Sequence, residues 1–220
     1  MPYRRTDNVA RRLAARHDAI IAAARQAARE GGMAAVQIAP VAARVGIAAG
    51  TVYRYFPAKT DLVAALLAEL AEREIAALRR AAGGAPGPLS ALSAAIMTFA
   101  SRALRDRRLA FAAIAEPVDA ELDEARLSFR RSLAAEFSAR IAAAVAEGRL
   151  PEQDPALAAA ALTGLLVEGL IGPLAPDASG REREFVQSLA LTALRALGVA
   201  DARARGLVVQ TALPADAPAP

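Results

Sequence analysis

The stretch G-I-A-A-G-T-V-Y-R-Y-F-P-A-K, from Gly46 to Lys59, decides how the chain is read. Gly46 offers a backbone free to turn sharply, and Ile47 supplies the apolar residue that anchors such a turn. Ala48 to Phe56 is long enough for about two helical turns, and Pro57 stops it. Tyr53, Arg54, Tyr55 and Phe56 crowd into that segment, a concentration of aromatic and cationic groups unmatched in the rest of an alanine-rich chain.

Upstream, Val36, Ile38, Val41, Ala42 and Val45 recur at helical spacing, so a short helix precedes the turn, with Pro40 tolerated inside its first turn. Ile20, Ile21, Ala24, Ala27 and Ala28 predict an earlier helix from about Arg16 to Glu30, stopped by Gly31-Gly32. Helix, short helix, tight turn, short helix is the helix-turn-helix plan, whose second member presents its outer face to a major groove. Residues 1–15, with Arg4, Arg5, Arg11 and Arg12, read as a flexible basic arm that either reaches DNA or is a solvated terminus.

Downstream, Leu62, Leu66, Leu67, Leu70, Ile75 and Leu78 predict a long helix from about Thr60 to Ala81, broken by the Gly- and Pro-rich run 83–88. Further helices are expected over about 89–104, up to Glu116, from an Asp119 cap to Val145, from Asp154-Pro155 onward, and over about 181–197. The expected fold is all-α: a three-helix head over 16–59, then a larger helical body over 60–200. Residues 201–220 are expected to be a disordered tail.

Charge follows the same division. Residues 1–60 hold ten Arg or Lys against Asp7, Asp18 and Glu30, whereas residues 61–220 hold seventeen against twenty acids. A basic head on a mildly acidic body suits a polyanion at one end. The chain has no cysteine, which removes disulfides and thiol chemistry and fits a reducing cytoplasmic setting. The most apolar run, 158–176, is interrupted by glycines, Glu168 and Pro173, so it reads as a buried helix and no membrane partner is expected. The single histidine, His17, lacks the company a metal site or general base would need, and no phosphate loop or nucleophile elbow is present. The sequence therefore predicts no enzyme, no cofactor and no metal site.

The segment I-A-P-V-A-A-R-V-G-I-A-A-G-T-V-Y-R-Y-F-P-A-K-T-D-L-V resembles the TetR/AcrR family of bacterial transcriptional regulators, a likeness that covers about residues 16–66. The resemblance implies a homodimeric, ligand-responsive regulator, usually a repressor, that binds a pseudo-palindromic site on double-stranded DNA, and it makes the body over 60–200 a helical effector-binding and dimerisation domain. A non-regulatory, architectural DNA-binding protein is the alternative. The implied DNA-facing residues are Ala49, Gly50, Thr51, Tyr53 and Arg54, with Tyr55 and Lys59 toward the phosphate backbone. Val52 and Phe56 take scaffold positions. Arg44 is a further candidate, facing either phosphate or water. Many relatives carry Ser or Thr where this chain has Gln37 and Ala48, so both short helices are expected to lack a side-chain cap.

In the body, Met97, Phe99, Phe111, Phe129 and Phe137 are the apolar candidates for a pocket taking a hydrophobic or amphipathic small molecule. Glu116 is the polar one, since a carboxylate in apolar surroundings needs a partner. Leu162, Leu165, Gly169, Phe185 and Leu189, on the last two expected helices, are candidates for a dimer interface.

Overall fold

The computed structural model describes residues 3–117, 120–172 and 174–211, with side chains from Asn8 onward. Ten α-helices account for nearly all of the described chain: α1 (Tyr3–Gly31), α2 (Ile38–Val45), α3 (Ala49–Tyr53), α4 (Lys59–Gly83) and α5 (Pro88–Arg105), then α6 (Arg107–Ile114), α7 (Ala120–Ala146), α8 (Pro155–Leu170), α9 (Glu182–Ala196) and α10 (Asp201–Gln210). A single 3-10 turn, Met33–Ala35, separates α1 from α2. Asp119, the expected cap of α7, lies outside the described residues, as does Pro173.

Three expectations are corrected. The helix expected from Arg16 begins at Tyr3, so the basic arm continues α1 as helix, an alanine- and arginine-rich run with no breaker before Gly31. The recognition helix ends at Tyr53 instead of Phe56; the amides of Tyr55 and Phe56 both bond to the Val52 carbonyl, tightening the exit into a turn. Residues 201–210 form α10, which buries Ala204, Leu207 and Val208 against α5 and α9. Thr211 at its end lies 2.9 Å from the Ser93 hydroxyl of α5. Residues 212–220 lie outside the described residues.

α5 runs through the middle of the body, packed by α4, α7 and α9 and touched by α6, α8 and α10. Its small and large residues alternate in burial: Ala95, Ile96, Met97, Phe99 and Ala100 are all at or below 1% exposure, so neighbouring helices approach it from every side. α4 passes from the head into this bundle without a break. At its N-terminus the Asp61 carboxylate accepts the Ala58 N–H at 2.9 Å, one of the orphan amides of the first turn. At the start of α8 a side chain does cap the helix: Asp154 Oδ1 accepts from Ala156 N at 2.8 Å. The buried carboxylate of Glu136 on α7 is answered by Arg79 of α4 and Arg140 one turn along α7. Among the described residues no helix is long and apolar enough to cross a membrane.

Candidate nucleic-acid interface and effector cavity

The turn before the recognition helix is set by Gly46, whose φ of 72° and ψ of 38° lie in the left-handed region. The amides of Gly46 and Ile47 return to the carbonyls of Ala43 and Ala42, the double bond pattern that closes a helix with glycine. A Cβ at Gly46 would meet nothing within 4 Å, so the backbone angle alone requires glycine here. Ile47 packs half-buried on the core and Ala48 starts α3 without a side-chain cap, as does Gln37 for α2.

α3 then divides its residues by face. Val52 and Phe56 are buried at 0% and 4% exposure, and Phe56 stacks obliquely on His17 with ring centroids 5.2 Å apart. That contact makes His17 a packing residue of the head. On the opposite face Gly50, Tyr53 and Arg54 are exposed; Ala49 and Thr51 are half-buried. Tyr55 is half-buried and packs on the core with its ring, while Lys59 stands half-exposed at the start of α4. Among the described residues neither Arg54 nor Lys59 is held in an ion pair. The open space around Gly50, where a Cβ would meet nothing within 4 Å, lets a flat polymer approach the helix closely.

Arg44 is committed elsewhere. Its guanidinium forks onto Glu30, with bonds of 2.9 and 2.6 Å, tying α2 to the end of α1. Hydrogen bonds from Arg44 and Gln26 hold the Glu30 carboxyl down at about 2. Arg11 and Arg12 are exposed on α1, and Arg11 also bonds Asn8. The side chains of Arg4 and Arg5 lie outside the described residues.

The body contains a cavity of about 280 Å³ between α1, α4, α5, α6 and the start of α7. Phe99 and Phe129 line it, as the sequence suggested. Met97 and Phe137 do not: both are at 0% exposure in the core. Phe111 packs half-buried on the core from the far side of α6. A second hollow of about 880 Å³ between α4 and α7 is more open to solvent and floored by alanines such as Ala68, Ala71 and Ala139.

Glu116 is corrected most clearly. Its carboxylate does not face the cavity but reaches across to the head, where Oε2 accepts the Met33 amide at 3.0 Å. It fits there because Gly32, at φ 72°, has no Cβ; one would stand 2.7 Å from Glu116 Oε2. Arg126 of α7 donates to the Glu116 carbonyl and fixes that residue from behind. The other end of α6 is held as well: Arg29 of α1 donates to Asp106 at 2.5 Å. α6 is thus tied to α1 at its start and, through Glu116, to the 3-10 turn after α1 at its end, with one side of it forming the cavity wall.

None of these pairings was readable from local sequence, because their partners are distant in the chain: Arg29 and Asp106 are 77 residues apart, Met33 and Glu116 83. The cavity's polar residues Arg25, Arg29, Glu74, Arg102 and Asp106 were missed for the same reason.

Of the interface candidates, Leu162 is covered within the chain at 3% exposure, facing the helices beneath α8. Gly169 is the point of close approach between α8 and α9, since a Cβ there would lie 2.8 Å from Leu189 Cδ1 of the same chain. Leu165, Phe185 and Leu189 are half-buried at the edge of that crossing. What α8 leaves outward is Leu157, Ala160, Ala161, Gly164 and part of Leu165, a small-residue apolar strip with Glu168 beyond it.

Residues 20–66 match the family model described as bacterial regulatory proteins, tetR family. Within that segment the chain is similar to the tetR family of regulators. Over 61 residues it is 48% identical to the HTH-type transcriptional repressor KstR of Mycolicibacterium smegmatis, a match spanning 27% of this chain and 30% of that protein. The curated relative is therefore matched over less than a third of its length. The whole fold is shared with solved structures. RolR, solved with resorcinol, superposes with a TM-score of 0.69 at 23% identity, over 93% of this chain and 98% of that one. FadR from Bacillus subtilis, in complex with stearoyl-CoA, gives 0.70 at 21% identity over 82% and 97%.

Proposed function

We propose that this chain is a homodimeric, cytoplasmic transcriptional repressor of the TetR family that binds a pseudo-palindromic operator and is released by a hydrophobic or amphipathic small molecule. The observation that carries the reading is the two-faced α3. Val52 and Phe56 lock it to the head, while Gly50, Tyr53 and Arg54 stand exposed beside Thr51, on a face where Arg54 is not spent on any carboxylate among the described residues. A guanidinium so placed reads guanine or holds phosphate, and Tyr53, Tyr55 and Lys59 supply donors for the backbone.

One such helix reads only a few base pairs, so useful specificity calls for two copies about 34 Å apart on a symmetric site. The outward strip of α8, from Leu157 to Leu165, suits pairing across a two-fold axis, because small residues let helices approach closely and the strip is apolar. The DNA-binding head comprises residues 16–59 and the effector and dimer domain residues 60–200, with α10 as an addition to the latter. Two solved structural neighbours hold small organic ligands, which supports placing an effector in the body. Because α6 forms the cavity wall and is tied to α1 at Asp106 and to the 3-10 turn at Glu116, an occupant that shifts α6 would shift the head, alongside any motion carried by α4.

Selection from random duplex DNA tests this. The expected product is an inverted repeat, protected as a dimer, with affinity falling steeply as salt rises. Tight binding without sequence preference would replace regulation with an architectural role. Removing residues 1–12, which carry Arg4, Arg5, Arg11 and Arg12, should weaken operator binding and flatten its salt dependence, since α2 and α3 lack the cap hydroxyls that would add phosphate bonds.

A further inference from the structure

Part of the cavity wall comes from the head. Arg25 and Arg29 line it from α1, whose neighbouring Ala24, Ala27 and Ala28 are buried in the continuous core. Arg29 has a carboxylate of its own in Asp106, as Arg102 has in Glu74. Arg25 has to share. Its Nη1 donates to Glu69 Oε1 at 2.7 Å, and Nη1 of Arg73 donates to that same oxygen at 3.0 Å. The other oxygen of Glu69 is enclosed and meets no donor among the described residues, so one carboxylate serves two guanidiniums through a single atom. The trio keeps one positive charge uncompensated.

The unmet donors can be reached. Nε and Nη2 of Arg25 find no acceptor among the described residues, yet neither is an enclosed atom, and the side chain lines the cavity with 16% exposure. Arg73 lines the same cavity with 49% of its side chain exposed. Burial, and then the like charges of Arg73 and Arg29, push the Arg25 guanidinium below its usual range against the pull of Glu69. A guanidinium presents five donors in a planar fork suited to a carboxylate, and one shared oxygen answers few of them. Beyond the arginines the wall turns apolar, with Leu70, Phe99, Leu109, Ala113, Ile114 and Phe129.

We infer that the cavity takes a small organic anion whose charged group bridges Arg25 and Arg73, giving each an acceptor besides Glu69, and whose apolar body lies among Phe99, Leu109, Ile114 and Phe129. The size follows from volume. A dry cavity of about 150 Å³ accommodates benzene, so about 280 Å³ suits one ring with a short substituent. A neutral ligand leaves the charge of the trio uncompensated, and a cation adds to it. Because Arg25 belongs to α1, the anion touches the helix that carries the head, a contact that needs no relay through α6. This ligand class rests on reading the chain as a ligand-responsive regulator.

The test is calorimetric titration of the full chain, without DNA, with benzoate, phenylacetate and 3-phenylpropanoate and with the primary amide of each. At least one acid should bind at least about tenfold more tightly than its own amide, which has nearly the same shape and no charge. In Arg25→Gln that preference should fall below about threefold while the amide binds as before. In Glu69→Gln, which frees both guanidiniums from their shared acceptor, the preference should rise; this variant decides alone where Arg25→Gln lacks the helical circular dichroism of the unsubstituted chain. Arg80→Gln removes a positive charge from the second hollow and should leave the preference unchanged. Affinity weaker than about 10 mM for all three acids, equal binding of every acid and its amide, a preference unaltered in a folded Arg25→Gln or in Glu69→Gln, or an equal loss in Arg80→Gln would overturn the inference. Binding of an acid by a chain that selects no duplex would sustain it while sinking the regulatory reading; operator binding with no affinity for any of these acids would do the reverse.

Discussion

The head is held together by apolar burial, whereas the joint between head and body adds charged pairs to the same apolar core. Ile20, Ala24, Val41, Val52 and Phe56 are all at or below 4% exposure and belong to one continuous core. The body grips α1 through Arg25–Glu69 at 2.7 Å and Arg29–Asp106 at 2.5 Å, and the 3-10 turn after it through the Glu116–Met33 bond at 3.0 Å. Apolar packing is non-directional and transmits force as a rigid block. Ion pairs at the edge of a cavity respond to any charge placed among them. In the function proposed above, the head would move as a unit and the joint would be where a ligand acts.

The largest effect expected from this contrast is in the head core. Phe56→Ala removes a nearly fully buried ring and its contact with His17, and should cost about 3–5 kcal/mol in urea denaturation. It should also abolish DNA binding by releasing α3 from its support. A loss under about 1 kcal/mol would mean that α3 is carried by something other than this core.

The residues that form the head core were visible in the sequence because their constraints are local. Gly46, Val52 and Phe56 stand at fixed spacing around a turn, and the missing caps at Gln37 and Ala48 follow from residue type alone. α10 carried a readable signal, Ala204, Leu207 and Val208 at helical spacing behind Asp201, but the proline-rich end that follows made the whole stretch read as a disordered tail. The joint had no such signal. Arg29, Asp106, Met33 and Glu116 meet only after α5 and α6 fold back on α1, so Glu116 reads in sequence as a pocket residue when it serves as a clamp. Periodicity likewise marked Met97 and Phe137 as buried without showing which buried residues border empty space.

A smaller effect is expected at the joint. Glu116→Ala leaves the Met33 amide without its acceptor beside Gly32 and should cost about 1–3 kcal/mol in denaturation. Its more telling consequence is in coupling. The variant should keep most of its operator affinity while the effector loses power to release DNA, because α6 no longer pulls on the α1–α2 turn. Glu116→Gln, which retains an acceptor, should recover part of both. Undiminished release by effector in a folded Glu116→Ala protein would assign the coupling to α4 alone.

The smallest effect is expected on the outer surface of the head, where charge pairing is neither buried nor near the cavity. Glu30 and Arg44 retain 52% and 38% side-chain exposure, so solvent and salt screen their attraction. The fork from Arg44, with help from Gln26, lowers the Glu30 carboxyl from 4.5 to about 2, which favours the ionised form in the folded chain. The sign follows: the stabilisation is present above the unfolded value near 4.5 and is lost as pH falls through about 2. In Arg44→Ala the carboxyl resonance of Glu30, followed by NMR, should titrate closer to its ordinary value, as it should in the unsubstituted chain at 1 M salt. Thermal stability at pH 7 should change too little to resolve. A marked loss of stability there would show that the head depends on its surface charges as the joint does, and would erase the distinction between the two.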